Sequence, residues 1–334
     1  MPEQKIDHHL IHWDEIRETA WKSLLLGNGF SINVWERFGY KSLYEVAKGG
    51  EVQQRLNAQS VALFDKLNST NFEEVLRILF HARLVDEQLG APQRDAIDDL
   101  YTSTKNALAA AVSYSHVPHD MDGLSAINRE LRNYRNIFTT NYDLIPYWSI
   151  MFEDTWRFKD LFWNEGNTFD PENTSVNADR SVICYLHGAI HLVELPDGKT
   201  KKLTANGLNS LVDLFDLEHP EYFPLFISEG TSEHKLSRIK RNDYLRFSFE
   251  KFQALDGSLV VLGQSLNKDF DQHLLDALRN SDLASIAVGV WPNQAEEKIL
   301  EFKARVLAEI GKKEIYFFDS TTHPLGISAL RHEV

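Results

Sequence analysis

Residues 23–31, SLLLGNGFS, join a continuous apolar run to two glycines at alternate positions. Three consecutive leucines are typical of a short strand that is buried on both faces, as in a parallel sheet. Glycine has no Cβ, so Gly27 and Gly29 predict a turn whose backbone lies close to another group. This stretch therefore predicts the first strand of an α/β fold followed by a candidate binding loop. A plain turn is the alternative interpretation.

Five further apolar runs are similar to the first and are bounded by Gly, Asn or Asp. They are NIFTT (136–140), VICYL (182–186), SLVVLG (258–263), SIAVGV (285–290) and EIYFFD (314–319). Two segments of helical period separate the last three runs, FDQHLLDALRNS (270–281) and AEEKILEFKARVLAEIG (295–311). Strand and helix alternating at this spacing predict an α/β protein built on a doubly wound, Rossmann-like parallel sheet.

Two intervals between the predicted strands are too long for a single crossover. Helical patterns fill residues 41–130, where we expect three or four packed helices as an insertion after the first strand. Residues 192–257 form a mixed, turn-rich insertion, with a hairpin predicted through Asp197-Gly198. No repeat or Pro-rich linker interrupts the chain, so we expect residues 1–334 to form one α/β domain.

Composition and charge limit the function classes. The chain has 334 residues, of which 43% are hydrophobic and 25% charged, as in ordinary globular proteins. No apolar run approaches the roughly 18 residues that a membrane span needs, and the polar start MPEQKIDHHLIHWDE lacks a signal pattern, so we expect a cytoplasmic protein. A net charge of −14 argues against nucleic acid and anionic membranes as partners. The basic run HKLSRIKR (234–241) is either a solvated helix face or a phosphate contact.

Metal-binding patterns are weak in this sequence. Cys184 is the only cysteine, which excludes a disulfide framework and a four-cysteine zinc site. His187 and His191 are four residues apart, but no glutamate completes the H-E-x-x-H motif and Gly188 follows the first histidine. The segment HVPHD (116–120) has two interpretations, a metal site or exposed loop histidines, and the second is the commoner case. We expect no metal dependence.

Polar groups follow four of the predicted strands directly. These strand ends are GNGFS (27–31), TTNYD (139–143), HG (187–188) and GQSLNKD (263–269). Because ligands of an open parallel sheet bind beyond the carboxyl ends of its strands, we expect the four segments to meet at one cleft. Two known motifs are not matched here. Ile32 occupies the position of the third glycine in the dinucleotide-binding motif G-x-G-x-x-G, and Asn267 occupies the position of the last glycine in a nucleophile elbow. Taken singly, Asn141 or Asp143 could cap an Asx turn, and His187 could be a satisfied histidine beside a turn.

The order of these motifs resembles the sirtuin-like family of NAD-consuming proteins over residues 20–330. Sirtuins carry a glycine-alanine-glycine-x-serine loop, a threonine-glutamine-asparagine-x-aspartate turn, a histidine-glycine pair and a glycine-x-serine-leucine strand end. Here Asn28 replaces the alanine, Thr140 replaces the glutamine, and the cysteine zinc module is missing. These departures resemble the bacterial sirtuin-like NAD hydrolases of anti-phage defence, such as Thoeris, rather than the deacylases.

The resemblance implies NAD as the substrate and His187 and Asn141 as the catalytic residues. The residues expected to bind NAD are Gly27, Asn28, Gly29, Phe30, Ser31, Thr140, Asp143, Gly263, Ser265 and Asp269. Backbone N–H groups of the glycine turn would face the diphosphate, with the Ser31 hydroxyl beside them. By analogy Asp143 would hold the nicotinamide carboxamide and Asn141 the ribose. Gly263, Ser265 and Asp269 would line the adenosine end. An imidazole suits proton removal from water or a ribose hydroxyl near neutral pH.

The sequence therefore predicts an NAD glycohydrolase that releases nicotinamide and ADP-ribose, acting in anti-phage defence. The alternative is a module that binds NAD, ADP-ribose or a nucleotide signal without turnover and acts through a partner protein. Because an unregulated NAD hydrolase would drain the cofactor of its own cell, we expect a homo-oligomer or a defence partner to control turnover. The helical residues 41–128 are the expected point of control, because they lie between the glycine turn and TTNYD.

Overall fold

The first strand lies in the middle of a central sheet. A computed structural model describes residues 6–38, 42–90, 94–117, 121–204, 221–227 and 231–332. The strands of the described part are β1 (Ser23–Leu26), β2 (Asn136–Thr139), β3 (Phe158–Lys159), β4 (Ser181–Tyr185), β5 (Gly188–Glu194), β6 (Thr200–Lys202), β7 (Phe223–Phe226), β8 (Asp256–Leu262), β9 (Asp282–Val290) and β10 (Glu314–Asp319).

Seven of these strands form one sheet in the order β10-β9-β8-β1-β2-β4-β3, and every pairing in it is parallel. Leu25 of β1 lies opposite Phe138 of β2 on one side and Val261 of β8 on the other. The chain leaves β1 towards β2 and later returns to the other side of β1 at β8, so the strand order reverses there. The predicted Rossmann-like α/β architecture is confirmed, with a switch point between β1 and β8.

All six predicted strands are present. The largest difference in their bounds is at β9, which begins at Asp282 rather than Ser285. The edge strand β3 was not predicted, because two residues are too few to show a period.

Helices lie between the strands, as the helical patterns predicted. They are α1 (Asn28–Val34), α2 (Leu43–Lys48), α3 (Ala58–Leu67), α4 (Phe72–Leu89), α5 (Arg94–Ser115), α6 (Leu124–Leu131), α7 (Ile145–Phe152), α8 (Ser232–Arg241), α9 (Asp243–Gln253), α10 (Lys268–Asn280) and α11 (Glu296–Ile310). Six of them, α1 to α6, lie between β1 and β2, and five of these, α2 to α6, begin within residues 41–130, where three or four helices were expected. Several begin at side-chain caps: Ser42 accepts the Glu45 N–H in a capping box, and Asn267 accepts the Asp269 N–H.

Two hydrophobic cores hold the structure together. The larger surrounds the central sheet, and the three leucines of β1 are fully buried in it. Burying one leucine side chain contributes about 1.5–3 kcal/mol, so β1 is a strong anchor. The smaller core joins α2 to α5 with α7, β5 and β7, through side chains such as Phe64, Leu76 and Phe226. Helices α2 to α5 thus pack on the second sheet.

The second sheet is antiparallel, in the order β6-β5-β7. The predicted hairpin through Asp197-Gly198 is confirmed: it joins β5 to β6, and the Gly198 N–H donates to the Leu195 carbonyl at 2.9 Å. Its neighbours at residues 205–220 lie outside the described part. Among the described helices, none combines the length and the apolar character that a bilayer span requires.

Candidate functional site

The glycine turn after β1 lies against the turn after β8. The Gly29 N–H donates to the Gly263 carbonyl at 2.8 Å, and the Gly27 N–H donates to the Leu262 carbonyl at 2.9 Å. A Cβ on Gly29 would lie 2.8 Å from the Gly263 Cα, and Gly263 itself has a φ of +74°. The glycines therefore allow two strand ends to pack backbone to backbone at the switch point.

This packing corrects one expectation. The N–H groups of Gly27, Gly29 and Phe30 all donate to carbonyls of the protein, so these three groups are not left for the predicted contact with a diphosphate. The Asn28 side chain lines a cleft nearby and donates from Nδ2 to the Phe38 carbonyl at 3.1 Å. The glycine turn shapes the site through close packing rather than through a cradle of free N–H groups.

A cleft of about 470 Å³ opens at the carboxyl ends of the strands on the β2 side of this turn. Four strand ends contribute to its wall, as the sequence predicted. The predicted site residues that line it are Asn28, Gly29, Thr140, Asn141, His187, Gly263 and Ser265. Volumes of this size are typical of small-molecule sites. The topology thus brings together seven of the twelve residues that the sequence singled out.

A buried network fixes Asn141, and we call it the Asn141 network. Asn141 donates from Nδ2 to the Gly27 carbonyl at 3.0 Å and to Ser31 Oγ at 2.7 Å. Ser31 in turn donates to Asp143 Oδ2 at 2.5 Å, and the other carboxylate oxygen accepts the Ile145 N–H at 2.9 Å. Asn141 Oδ1 is buried and has no hydrogen-bond partner among the described residues. The network leaves this acceptor for a ligand.

Asp143 and Ser31 therefore lie beneath the cleft and do not line it. Each carboxylate oxygen of Asp143 accepts a hydrogen bond within the protein, and Asp143 is not among the residues that line the cleft, so the structure does not bring it to the position expected for a nicotinamide contact. The alternative interpretation, an Asx turn before a helix, describes Asp143 correctly. The Ser31 hydroxyl is committed to the same network. Burial raises the pKa of Asp143 to about 6, and hydrogen bonds from Ser31 and Ile145 oppose this shift.

A second buried network holds His187, and we call it the His187 network. His187 lies between β4 and β5 and lines the cleft. Its Nε2 lies 2.9 Å from Nε2 of His273 on α10, and His273 Nδ1 lies 2.8 Å from Ser232 Oγ on α8. Burial, followed by charge repulsion from Lys235, lowers the pKa of His273 to about 3. Burial also holds the pKa of His187 well below its usual range, so both imidazoles are neutral at pH 7.

Sequence reasoning missed four buried polar residues at the site, which are Ser232, Lys235, Asp271 and His273. Lys235 and Asp271 line the cleft, with Lys235 Nζ 3.9 Å from Asp271 Oδ1. A signal existed for Lys235, which belongs to the basic run 234–241. This run is only partly a solvated helix face, because Lys235 and Ile239 are buried. The signal for His273 was a histidine on the apolar face of a helix.

Asp269 lies outside the cleft, which corrects its predicted role. Its side chain is exposed in the first turn of α10, where its N–H donates to Asn267 Oδ1 at 3.0 Å. Asp271, two residues on, is buried and accepts from Ser265 Oγ at 2.9 Å. The helical period of 3.6 explains why Asp271 lines the cleft and Asp269 does not, because residues two positions apart lie on different faces of the helix.

A second cleft of about 480 Å³ lies on the β9 side of the same turn. It is more apolar, with Phe30, Trp291, Phe302 and Leu325 in its wall. The two clefts share lining residues, which are Gly29, Ile32, Gly263, Gln264 and Ser265. Phe30, a predicted contact, therefore belongs to this second cleft.

The candidate metal residues have other partners. His116 is buried and accepts the Leu144 N–H at Nε2, so it is not an exposed loop histidine; residues 118–120 lie outside the described part. His191 stacks on Tyr147 with the ring centroids 4.6 Å apart. Within the described ranges, no group of three or more His, Cys, Asp or Glu side chains could hold a metal ion.

The fold and the cleft define a Rossmann-like α/β protein with a candidate ligand site at the switch point of its sheet. The chain belongs to the family described as "Domain of unknown function (DUF4917)", whose model matches residues 24–325. A comparison with curated proteins finds no match. The match begins in β1 and ends after β10, so it includes all residues that line the first cleft and all but Gly326 and Arg331 of those that line the second.

Proposed function

We propose that this protein is an NAD glycohydrolase that cleaves NAD to nicotinamide and ADP-ribose. One observation carries the proposal: the imidazole of His187 and the amide of Asn141 line the same cleft at the switch point, and Asn141 Oδ1 is buried without a partner among the described residues. A ribose hydroxyl or a water molecule would supply the missing hydrogen bond. The order of the strand-end motifs supports the choice of NAD.

The chemistry needs orientation more than acid strength. When the bond from ribose C1′ to the nicotinamide nitrogen breaks, nicotinamide leaves as a neutral base and an oxocarbenium-like centre forms. The rigid amide of Asn141 would position the ribose and the water that attacks C1′. A neutral His187 would accept the proton of that water or of a ribose hydroxyl. Since Asn141 does not titrate, its contribution is positioning alone.

The two clefts suit the two halves of a dinucleotide. The polar cleft with His187 and Lys235 would take the nicotinamide ribose, and the apolar cleft with Trp291 and Phe302 would take the adenosine. The diphosphate would cross the shared wall at Gln264 and Ser265. Aromatic walls favour a planar base, and a cation favours phosphate oxygens.

A role in anti-phage defence and control by self-association or a partner protein belong to the same proposal. They rest on the family resemblance and on the place of α2 to α6, which lie between β1 and β2. A tilt of these helices would move Asn28 relative to Asn141, and a displacement of about 1 Å can cost roughly 100-fold in rate. The test is NAD turnover measured against protein concentration. If a strictly monomeric protein is fully active, and charge changes on the surface of these helices leave its rate unchanged, then self-association or a partner protein does not control turnover.

The primary experiment incubates the purified chain with NAD and separates the products by chromatography. We expect nicotinamide and ADP-ribose to appear in equal amounts, with and without a chelator. His234→Ala is a matched control for His187→Ala, because His234 is exposed on α8. Intact NAD after prolonged incubation at high protein concentration would contradict the proposal.

The second candidate function is a module that binds NAD, ADP-ribose or a nucleotide signal without cleaving it. One observation favours it: Nε2 of His187 faces another imidazole, as in a purely structural histidine pair. Titration calorimetry separates the candidates. A binding module would give a stable heat of binding with NAD and no nicotinamide.

A further inference from the structure

Two buried histidines face each other behind the candidate site. His187 Nε2 and His273 Nε2 are 2.9 Å apart, and both residues are nearly inaccessible to solvent. A neutral imidazole carries one hydrogen, on either of its two nitrogens. At this distance one of the facing nitrogens must carry a hydrogen and the other must accept it, because two lone pairs or two N–H groups would repel. The pair therefore shares one proton.

Ser232 holds the far end of the pair. Its Oγ accepts the backbone N–H of His273 at 2.8 Å and lies 2.8 Å from His273 Nδ1. Since Oγ can donate its hydrogen to Nδ1 or accept one from it, both tautomers of His273 are satisfied. The three side chains come from the segment after β4, from α8 and from α10, and all are buried. The pair can change tautomer without breaking a hydrogen bond.

We infer that His273 is a positioning residue that takes over the proton collected by His187, so that His187 acts on substrate through Nδ1. This inference rests on the proposed function. Nε2 of His187 is occupied by His273, which leaves Nδ1 as the ring nitrogen for the cleft. His273 does not line the cleft and so acts only through His187.

The proton balance is complete within the pair and the substrate. Water adds through its oxygen to ribose C1′, and nicotinamide leaves with the electron pair of the broken carbon–nitrogen bond. The proton of the water binds His187 Nδ1 while the hydrogen on His187 Nε2 passes to His273 Nε2. His187 stays neutral and His273 becomes a cation only transiently, donating from Nδ1 to Ser232. The positive charge thus moves one ring away from the oxocarbenium-like centre, which it would otherwise repel. Because burial and Lys235 disfavour this charge, the proton returns through His187 to water in the cleft after nicotinamide has left.

The test compares His273→Gln and His273→Ala with the exposed control His234→Gln. Glutamine offers a hydrogen-bonding group near the position of Nε2 but cannot hold the extra proton. We expect both variants to lower kcat for NAD cleavage by about 10-fold or more at an unchanged KM, because His273 does not touch the cleft. A wild-type kcat in His273→Gln would show that the histidine is only a spacer and would overturn the inference.

A second measurement does not depend on NAD. Nitrogen NMR of imidazole-labelled protein should show a coupling between two Nε2 nuclei across a shared hydrogen, and His187→Gln and His273→Gln should each remove it. Absence of this coupling in the folded wild type overturns the inference even if NAD is cleaved. A coupling in a wild type that leaves NAD intact overturns the proposed function instead, so the two failures are distinguishable.

Discussion

The Asn141 network and the His187 network lie on the wall of one cleft but differ in what holds them together. The first is built around a carboxylate, and both oxygens of Asp143 accept hydrogen bonds from neighbouring groups. The second contains no carboxylate among its three members and relies on neutral rings. A carboxylate tied at both oxygens fixes a shape, whereas facing imidazoles can move a proton. The Asn141 network therefore forms a rigid floor beneath the cleft, whereas the His187 network lies in the wall of the cleft and can take part in proton transfer.

The sharpest test removes each network's residue at the cleft. His187→Ala should lower NAD cleavage by about 10²–10⁴-fold, since it deletes the proton acceptor, and should lower the unfolding midpoint, since it leaves the buried His273 Nε2 without its partner. Asn141→Ala should also abolish cleavage but should destabilise the fold too, because Asn141 donates to Gly27 and Ser31. Product chromatography and thermal unfolding measure the two effects. A wild-type rate in either variant removes that residue from the mechanism.

The glycine turn supports both networks, and Gly263→Ala should disrupt it. A Cβ there would lie 2.8 Å from the Gly29 carbonyl carbon, and the φ of +74° is unfavourable for alanine. The matched control is Gly198→Ala, which has a φ of +83° and open space within 4 Å. The control should cost about 1–2 kcal/mol. Gly263→Ala should cost about 1–3 kcal/mol more from overpacking, as measured by urea unfolding. Equal costs would mean that the close packing is dispensable.

Acid should affect the two networks in opposite directions. The folded pKa values of His187 and His273 lie below the usual 6.5, so their contribution to stability is lost as pH falls below about 6.5, by about 1.4 kcal/mol per unit for each histidine. Asp143, with a folded pKa raised from 3.8 to about 6, contributes stability that is present below pH 4 and lost as pH rises through 6.

The histidines should dominate this balance. Three more buried histidines, His116, His191 and His323, also have lowered pKa values. Urea unfolding at pH 7 and pH 5.5 should show a large loss of stability in acid. Asp143→Asn should make the loss slightly larger, because it removes the opposing contribution. A stability that stays constant over this range would show that the rings do not remain neutral in the folded state.

The smallest expected effect belongs to Ser31→Ala in the floor of the cleft. It leaves Asp143 Oδ2 and one Asn141 N–H without their partner, which should cost about 1–3 kcal/mol of folding free energy. Ser265→Ala is the control, because Ser265 also donates to a buried carboxylate but is itself exposed. Ser31→Ala should lower the midpoint of unfolding more than Ser265→Ala does. If Ser265→Ala lowers the free energy of unfolding more than Ser31→Ala does, the hydrogen bonds of Ser31 do not hold the floor of the cleft rigid.

Local sequence patterns were sufficient for six of the seven strands of the central sheet, for most helices and for the region of the site. Continuous apolar runs mark strands buried on both faces, and parallel strands end at one edge, so SLLLGNGFS and TTNYD had to lie near each other once the sheet was accepted. Burial of apolar side chains depends mainly on periodicity, which neighbouring residues in the chain already show. His187 and Asn141 were found for this reason.

Only the tertiary structure decided which polar atoms remain for a ligand. The N–H groups of the glycine turn and the oxygens of Asp143 are used within the protein, and Asp271 rather than Asp269 lines the cleft. The pairing of His187 with His273 joins residues 86 positions apart. Hydrogen-bond partners at such separations depend on the angles and distances at which helices pack on the sheet. No local period encodes those distances, and hydrogen bonds are sensitive to fractions of an ångström.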